Sequence, residues 1–251
     1  MSETTSSIYN RAKDNWVRNE PILLSDYTAR SFLLQACQPV SGLNVLDIGC
    51  GEGYVARQIG RQGAASIHAY DISEGMIEQA KKSEYLEPMG INYYVADVCE
   101  DMDLICESFD LAIAVFLFNY LTIEQMQKVL KLVYSALGKG GRFIFTVPHP
   151  MLPFIRAKEK PLYFDPENRG YFSGRNTLFE GKICRRDKVE VPVRCVHKTF
   201  VDYFDALKIA GFEQIPKITE LAVTPEHIRL DFDFFAPLQD QPLHMMFELS
   251  K

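Results

Sequence analysis

Three carboxylates stand at the ends of three apolar runs, the first of them inside a glycine-rich turn. They are Asp47 in "VLDIGCGEG", Asp71 in "AYDIS" and Asp97 in "YVADV". A glycine turn after an apolar strand lets the backbone approach a nucleotide-like cofactor closely. Gly51, Gly53 and Ala56 satisfy the relaxed dinucleotide pattern G-x-G-x-x-G/A, which is weak evidence alone. No Gly-Lys-Ser/Thr follows, so this is not a P-loop. Asp71, about twenty residues beyond the glycines, suits the ribose hydroxyls of either NAD or S-adenosylmethionine (SAM). Asp97 suits an adenine amino group. Asp47 separates the two: it would repel the pyrophosphate of NAD, whereas SAM carries an ammonium and a sulfonium and no phosphate. Each acid alone is equally a cap or turn residue. Three at successive strand ends beside a glycine loop form a pattern, because open parallel sheets bind ligands at those ends.

The elements that hold these acids alternate. "NVLDIG", "SIHAYDI", "INYYVAD", "FDLAIAVF" and "GGRFIFTV" read as strands. "GYVARQIGRQG", "SEGMIEQAKKSEYLE" and "IEQMQKVLKLVYSAL" read as helices, the second capped by Ser73. Such alternation predicts an α/β fold, a doubly wound parallel sheet with right-handed crossovers. Ser25 to Cys37 reads as a further helix. The alternation stops at Pro148–Pro150. An aromatic, Pro- and Arg-rich stretch follows, whose second half reads as a hairpin turning at Arg186–Asp187–Lys188. A helix resumes with a Thr199/Asp202 capping box and ends at Gly211. Two more strands are expected around "EQIPKITEL" and "LHMMFEL", with a loop of roughly twenty residues between them containing "DFDFFAP".

"VLDIGCGEG", "YDIS", "VADV", "FDLAIAVFLFNYL" and "LGKGGRFIFTV" together resemble the class I SAM-dependent methyltransferases, over roughly residues 40–147. "MIEQAKKSEYLEPMGINYYVAD" and "FLFNYL" resemble a small-molecule branch that includes the toxoflavin-type N-methyltransferases, from which "TVPHP" and the aromatic insertion depart. The resemblance implies a Rossmann-like, seven-stranded, mostly parallel sheet whose last strand is antiparallel. It further implies SAM as cofactor. Asp47, Gly49, Cys50, Gly51 and Gly53 would line its methionine part. Asp71 would take the ribose, with Ile72 and Met76 beside the adenosine. Asp97 and Val98 would meet the adenine, and Val115 or Phe116 the methionyl end.

Methyl transfer from a sulfonium needs alignment above all, and a base only where the acceptor must lose a proton. Asn119 and Tyr120, after the fourth strand, and His149, fixed between two prolines after the fifth, are the candidates for acceptor contact. His197 is better read as a structural hydrogen-bonding residue. Tyr9 and Trp16 could close over the cofactor, since aromatic faces suit a sulfonium; Trp16 equally suits an anchor. Tyr163, Phe164, Tyr171 and Phe172 suit a substrate wall or a small satellite core. Lys182, Arg185, Arg186, Lys188 and Arg194 suit a solvated turn, or an anion-binding patch.

Expected organisation follows: an N-terminal helical lid (1–40), a SAM-binding core (41–147), a substrate-cap insertion (148–198), and a C-terminal helix and strands completing the sheet (199–251). The formal charge of -6 argues against a nucleic-acid partner. No run approaches the roughly 18 apolar residues of a membrane span. Six scattered cysteines, without a CxxC pair, suit reduced thiols in a cytoplasm and no metal. A small-molecule methyltransferase is the expected function, with N or O the favoured acceptor atom. An NAD(P)-dependent oxidoreductase and a non-catalytic SAM-binding partner remain as alternatives. Oligomeric state is not legible.

Overall fold

The computed structural model describes residues 7, 10, 16–18, 20–100, 108–155 and 161–251. Seven strands form one sheet: β1 (Asn44–Ile48), β2 (Ser66–Asp71), β3 (Ile91–Val95), β4 (Phe109–Val115), β5 (Leu137–Pro148), β9 (Lys217–Leu221) and β10 (His244–Ser250). Their order is β3-β2-β1-β4-β5-β10-β9. β1 pairs in parallel with β2 and β4, and β4 with β5, while β10 runs antiparallel to both β5 and β9. This is the doubly wound, mostly parallel α/β fold expected.

Strand periodicity divides the core into two layers, because successive side chains point to opposite faces. Leu46 and Ile48 of β1, with Phe143, Phe145 and Val147 of β5, face α4 (Ile123–Ala136) and α6 (Phe200–Ala210). On that face Phe145 stacks on its in-register partner Phe247 at 4.5 Å. Val45 and Ile144 face the opposite way. They meet α1 (Ser31–Ala36), which continues a π-helical turn at Asp26–Arg30, together with α2 (Tyr54–Arg61) and α3 (Glu74–Leu86). Side-chain caps set the helix starts: Ser73 accepts from Met76 N–H, and Thr199 and Asp202 close the anticipated box.

Beyond β5 come a short α5 (Leu152–Ile155) and a second sheet of β6 (Leu162–Asp165), β7 (Leu178–Cys184) and β8 (Glu190–Val196). The hairpin turn falls where the sequence placed it. "PLYFD" supplies a third strand, which the sequence reading left as an aromatic run. The expected long loop before β10 is instead helical: α7 (Pro225–Leu230), α8 (Phe232–Phe235) and a 3-10 turn (Ala236–Leu238). Asp231 caps α8 by accepting from Phe234 N–H, and Phe235 and Leu238 are buried. Phe235 and Leu238 join Trp16, Leu24, Phe164 and Val193 in a third core. That core couples the N-terminal segment to the small sheet.

Candidate functional site

The site lies where the strands of the large sheet end. β1 runs into Gly49–Cys50–Gly51, whose turn is tied to β2: Gly49 and Cys50 N–H groups donate to Tyr70 O. Gly51 takes φ +58, a conformation that favours glycine, and a Cβ there would touch no protein atom. Its N–H donates to Asp71 Oδ2 at 2.9 Å, and Ser73 N–H donates to Asp71 Oδ1 at 2.9 Å. Asp71 is thus oriented by main chain, with lone pairs left over for a ligand.

A cavity of about 460 Å³ opens beside this loop. Asp47, Gly49, Cys50, Gly51, Asp71, Ile72, Met76 and Asp97 line it from the β1–β3 side. Val115, Phe116, Asn119 and Tyr120 line it beyond β4. Phe164, Val193 and Arg194 reach it from the small sheet, and Trp16 and Arg18 from the N-terminal segment. Twelve of the predicted cofactor and acceptor residues, counting Asp47 to Tyr120 as just named, are therefore gathered at one place.

Asp47 is the chemically sharpest member. It is 1% exposed, and neither carboxylate oxygen has a hydrogen-bond partner among the described residues. Burial, with Asp71 and Glu52 nearby, pushes its pKa up to about 8. Burial likewise raises Asp71 and Glu52, against the two N–H donors in the first case and Arg18 in the second. A buried acid without a partner costs free energy unless a cation meets it. The donor set fits SAM on that ground: an unpartnered acid for its positive methionyl end and a fixed acid for its ribose.

A charge network that the sequence did not reveal frames the opening. Arg18 grips Asp26 through Nε–Oδ2 at 2.8 Å and Nη2–Oδ1 at 2.7 Å, and reaches Glu52 at 2.7 Å. Arg30 adds a 3.3 Å contact to Asp26 and lies over the Phe116 ring at 5.2 Å. Burial would raise Asp26, but Arg30 and Arg18 hold it below the usual carboxylate range. The signal for Glu52 lay in the loop itself, "GCGEG"; nothing in the polar N-terminal run marked Arg18.

Several expected residues stand elsewhere. His149 is 4% exposed and does not line the cavity: Nδ1 accepts from Met151 N–H and Nε2 donates to Glu220 Oε1 at 2.9 Å. Both ring nitrogens are engaged because the chain turns toward β9 as β5 ends. Gly53 is also outside the lining; a Cβ there would collide with Tyr93 Oη, so it is a packing glycine. Val98 packs in the core under α4 rather than against the cavity. Tyr9 lies outside the described residues. His197 Nε2 donates to Tyr171 O at 2.8 Å and the ring stacks on Phe179, a structural role. Phe172 is exposed, and Phe164 alone of the four aromatics lines the cavity. Arg185, Arg186, Lys182 and Arg194 each pair with a nearby acid.

His244 was missed. The last strand begins with it, and nothing in "LHMMFEL" distinguishes a site histidine from a buried one. It lines the cavity, is 3% exposed, and neither ring nitrogen has a hydrogen-bond partner among the described residues. Burial, with Arg30 and His149 nearby, pushes its pKa down to about 3, so the ring is neutral. Lys198, also buried, donates to the carbonyls of Phe118 (2.8 Å), Val196 (3.0 Å) and Leu121. It pins the 3-10 turn Phe118–Tyr120 to β8.

Comparison with known proteins agrees with this geometry. Residues 45–141 match the family described as "Methyltransferase domain". An uncharacterized protein of Haemophilus influenzae is 27% identical over 218 residues, spanning 82% of this chain and 83% of its own length. The aklanonic acid methyltransferase DauC of a Streptomyces species is 33% identical over 138 residues, covering 52% of this chain and 60% of that protein. Among solved structures, an S-adenosylmethionine dependent methyltransferase from Mesorhizobium loti aligns with TM-score 0.66 and 26% identity, over 90% of this chain and 99% of its own. The fold and the site define a class I SAM-dependent methyltransferase. SAM is its cofactor.

Proposed function

We propose that this enzyme methylates a small molecule at oxygen or nitrogen, and that it works in the cytoplasm. The cavity geometry carries the reading: its far end is walled by Phe164, Val193 and Arg194, so the acceptor is surrounded rather than presented on an open face. A volume of about 460 Å³ suits cofactor and small acceptor together. The relative named for aklanonic acid supports a small acceptor too. The five described cysteines are unpaired, in keeping with a reducing compartment. No helix among the described residues is long and apolar enough to cross a membrane.

In this reading residues 41–147 hold SAM, and residues 1–40 and 148–198 cover it and the acceptor. SAM supplies an electrophilic methyl group on a positive sulfur. Asp47 faces the positive methionyl end, Asp71 holds the ribose and Asp97 the adenine. Asn119 and Tyr120 contact the acceptor. Walls on both sides of the cavity fix the approach, and orientation of this kind can contribute roughly 7–11 kcal/mol. An NAD-dependent oxidoreductase is disfavoured by Asp47 beside the glycine turn. The test is transfer from radiolabelled SAM into a metabolite extract. Label in a small molecule supports the proposal. Label in protein or RNA, or none in any fraction, contradicts it.

A further inference from the structure

The lining acids gather on one side of the cavity, where Arg18 pairs with Glu52. All four lining acids, Asp47, Glu52, Asp71 and Asp97, lie in or just beyond β1, β2 and β3. The opposite side presents Arg30, Arg194 and His244 and no carboxylate. His244 reaches that side through strand direction. β10 runs antiparallel and pairs His244 with Pro148, so its first residue lies where β5 ends. There the imidazole meets the Phe116 ring edge-on at 5.0 Å, with both nitrogens buried and without partners among the described residues. A buried polar ring that the fold leaves unsatisfied, in the wall of the reaction cavity, awaits a ligand group.

We propose that His244 orients the methyl acceptor by accepting a hydrogen bond from a hydroxyl group on an otherwise apolar molecule. The proposal rests on the methyltransferase reading and narrows it. Leu162, Phe164, Ile183 and Val193 supply apolar wall for the body of such a molecule. A protonated amine is disfavoured there, because this side of the cavity offers it no lining carboxylate. By accepting the O–H hydrogen bond, the neutral imidazole would direct an oxygen lone pair at the methyl group; as the O–C bond formed and the S–C bond broke to leave S-adenosylhomocysteine, the hydroxyl proton would pass to that ring nitrogen.

The test uses naphthol and methoxynaphthalene, which share an apolar body and differ in the hydroxyl donor. Both are titrated into enzyme saturated with S-adenosylhomocysteine (SAH), with the histidine side-chain nitrogens followed by NMR and the His244 signal assigned by H244F. The expected result is that naphthol shifts the acceptor nitrogen of His244 and methoxynaphthalene does not. Naphthol should bind H244F about tenfold more weakly, the scale of one hydrogen bond. H244Q, which keeps an acceptor oxygen, should recover part of the loss. SAH should still saturate both variants, so the naphthol loss is read with the cofactor site filled. If SAH binds but naphthol fails to bind, leaves His244 unmoved, or is matched by methoxynaphthalene, the assignment of His244 is overturned. If SAH itself does not bind, the methyltransferase reading falls, and this proposal with it.

Discussion

Asp47 links charge to cofactor binding in a way pH can read. Its pKa is about 8 in the free protein and about 4 in an unfolded chain. Between those values the folded protein keeps a proton that the unfolded chain has lost, so this group favours folding less as pH rises from about 4 to about 8. A cation beside Asp47 lowers its pKa. SAM binding near pH 7 should therefore expel up to one proton from Asp47 and tighten as pH rises toward 8. Calorimetry in buffers of different ionisation enthalpy reads that release, and D47N should lack it. Asp71 acts differently, through hydrogen bonds. D71A removes acceptors worth about 1.5–3 kcal/mol each, so SAH affinity should fall at least about tenfold. Unchanged affinity would place the ribose elsewhere.

Elements decide which side chains meet. The 3-10 turn Phe118–Tyr120, which carries Asn119 and Tyr120 into the cavity wall, is held by one ammonium, Lys198 Nζ. K198M should leave three carbonyls without their donor, at about 1–3 kcal/mol for each that water does not reach. Thermal unfolding should show a clear drop, and SAH affinity should change much less than stability. A stability equal to wild type would mean the turn holds itself. Much at this scale was legible beforehand. Apolar runs alternating with helical segments marked β1 to β5, and Ser73, Thr199 and Asp202 marked helix starts. The acids fell at strand ends because a strand's length and its glycine turn are local properties. What stayed hidden depended on distant pairing. His244 belongs to the site only because β10 runs antiparallel beside β5. His149 was a reasonable candidate until Glu220, from β9, met its ring. "DFDFFAP" reads as a loop until its aromatics find Trp16 and the small sheet.

The whole molecule is a two-faced sheet with a third core that joins the N-terminal segment to the small sheet. That core holds Trp16 and Leu24 of the N-terminal segment together with Phe164 and Val193, and all four also line the cavity. A ligand in the cavity should therefore stabilise the protein globally. At free SAH about a hundredfold above its Kd, mass action predicts about 2.7 kcal/mol, visible as a rise in Tm. NADH at matched concentration should produce none.

The central claim is that the Asp47–Asp71 cavity is the SAM site, and a crystal structure of the SAH complex tests it most directly. The account predicts the SAH amino group facing Asp47, the ribose hydroxyls on Asp71 and the sulfur directed toward Asn119, Tyr120 and His244. SAH bound outside this cavity, or its ribose away from Asp71, would contradict it.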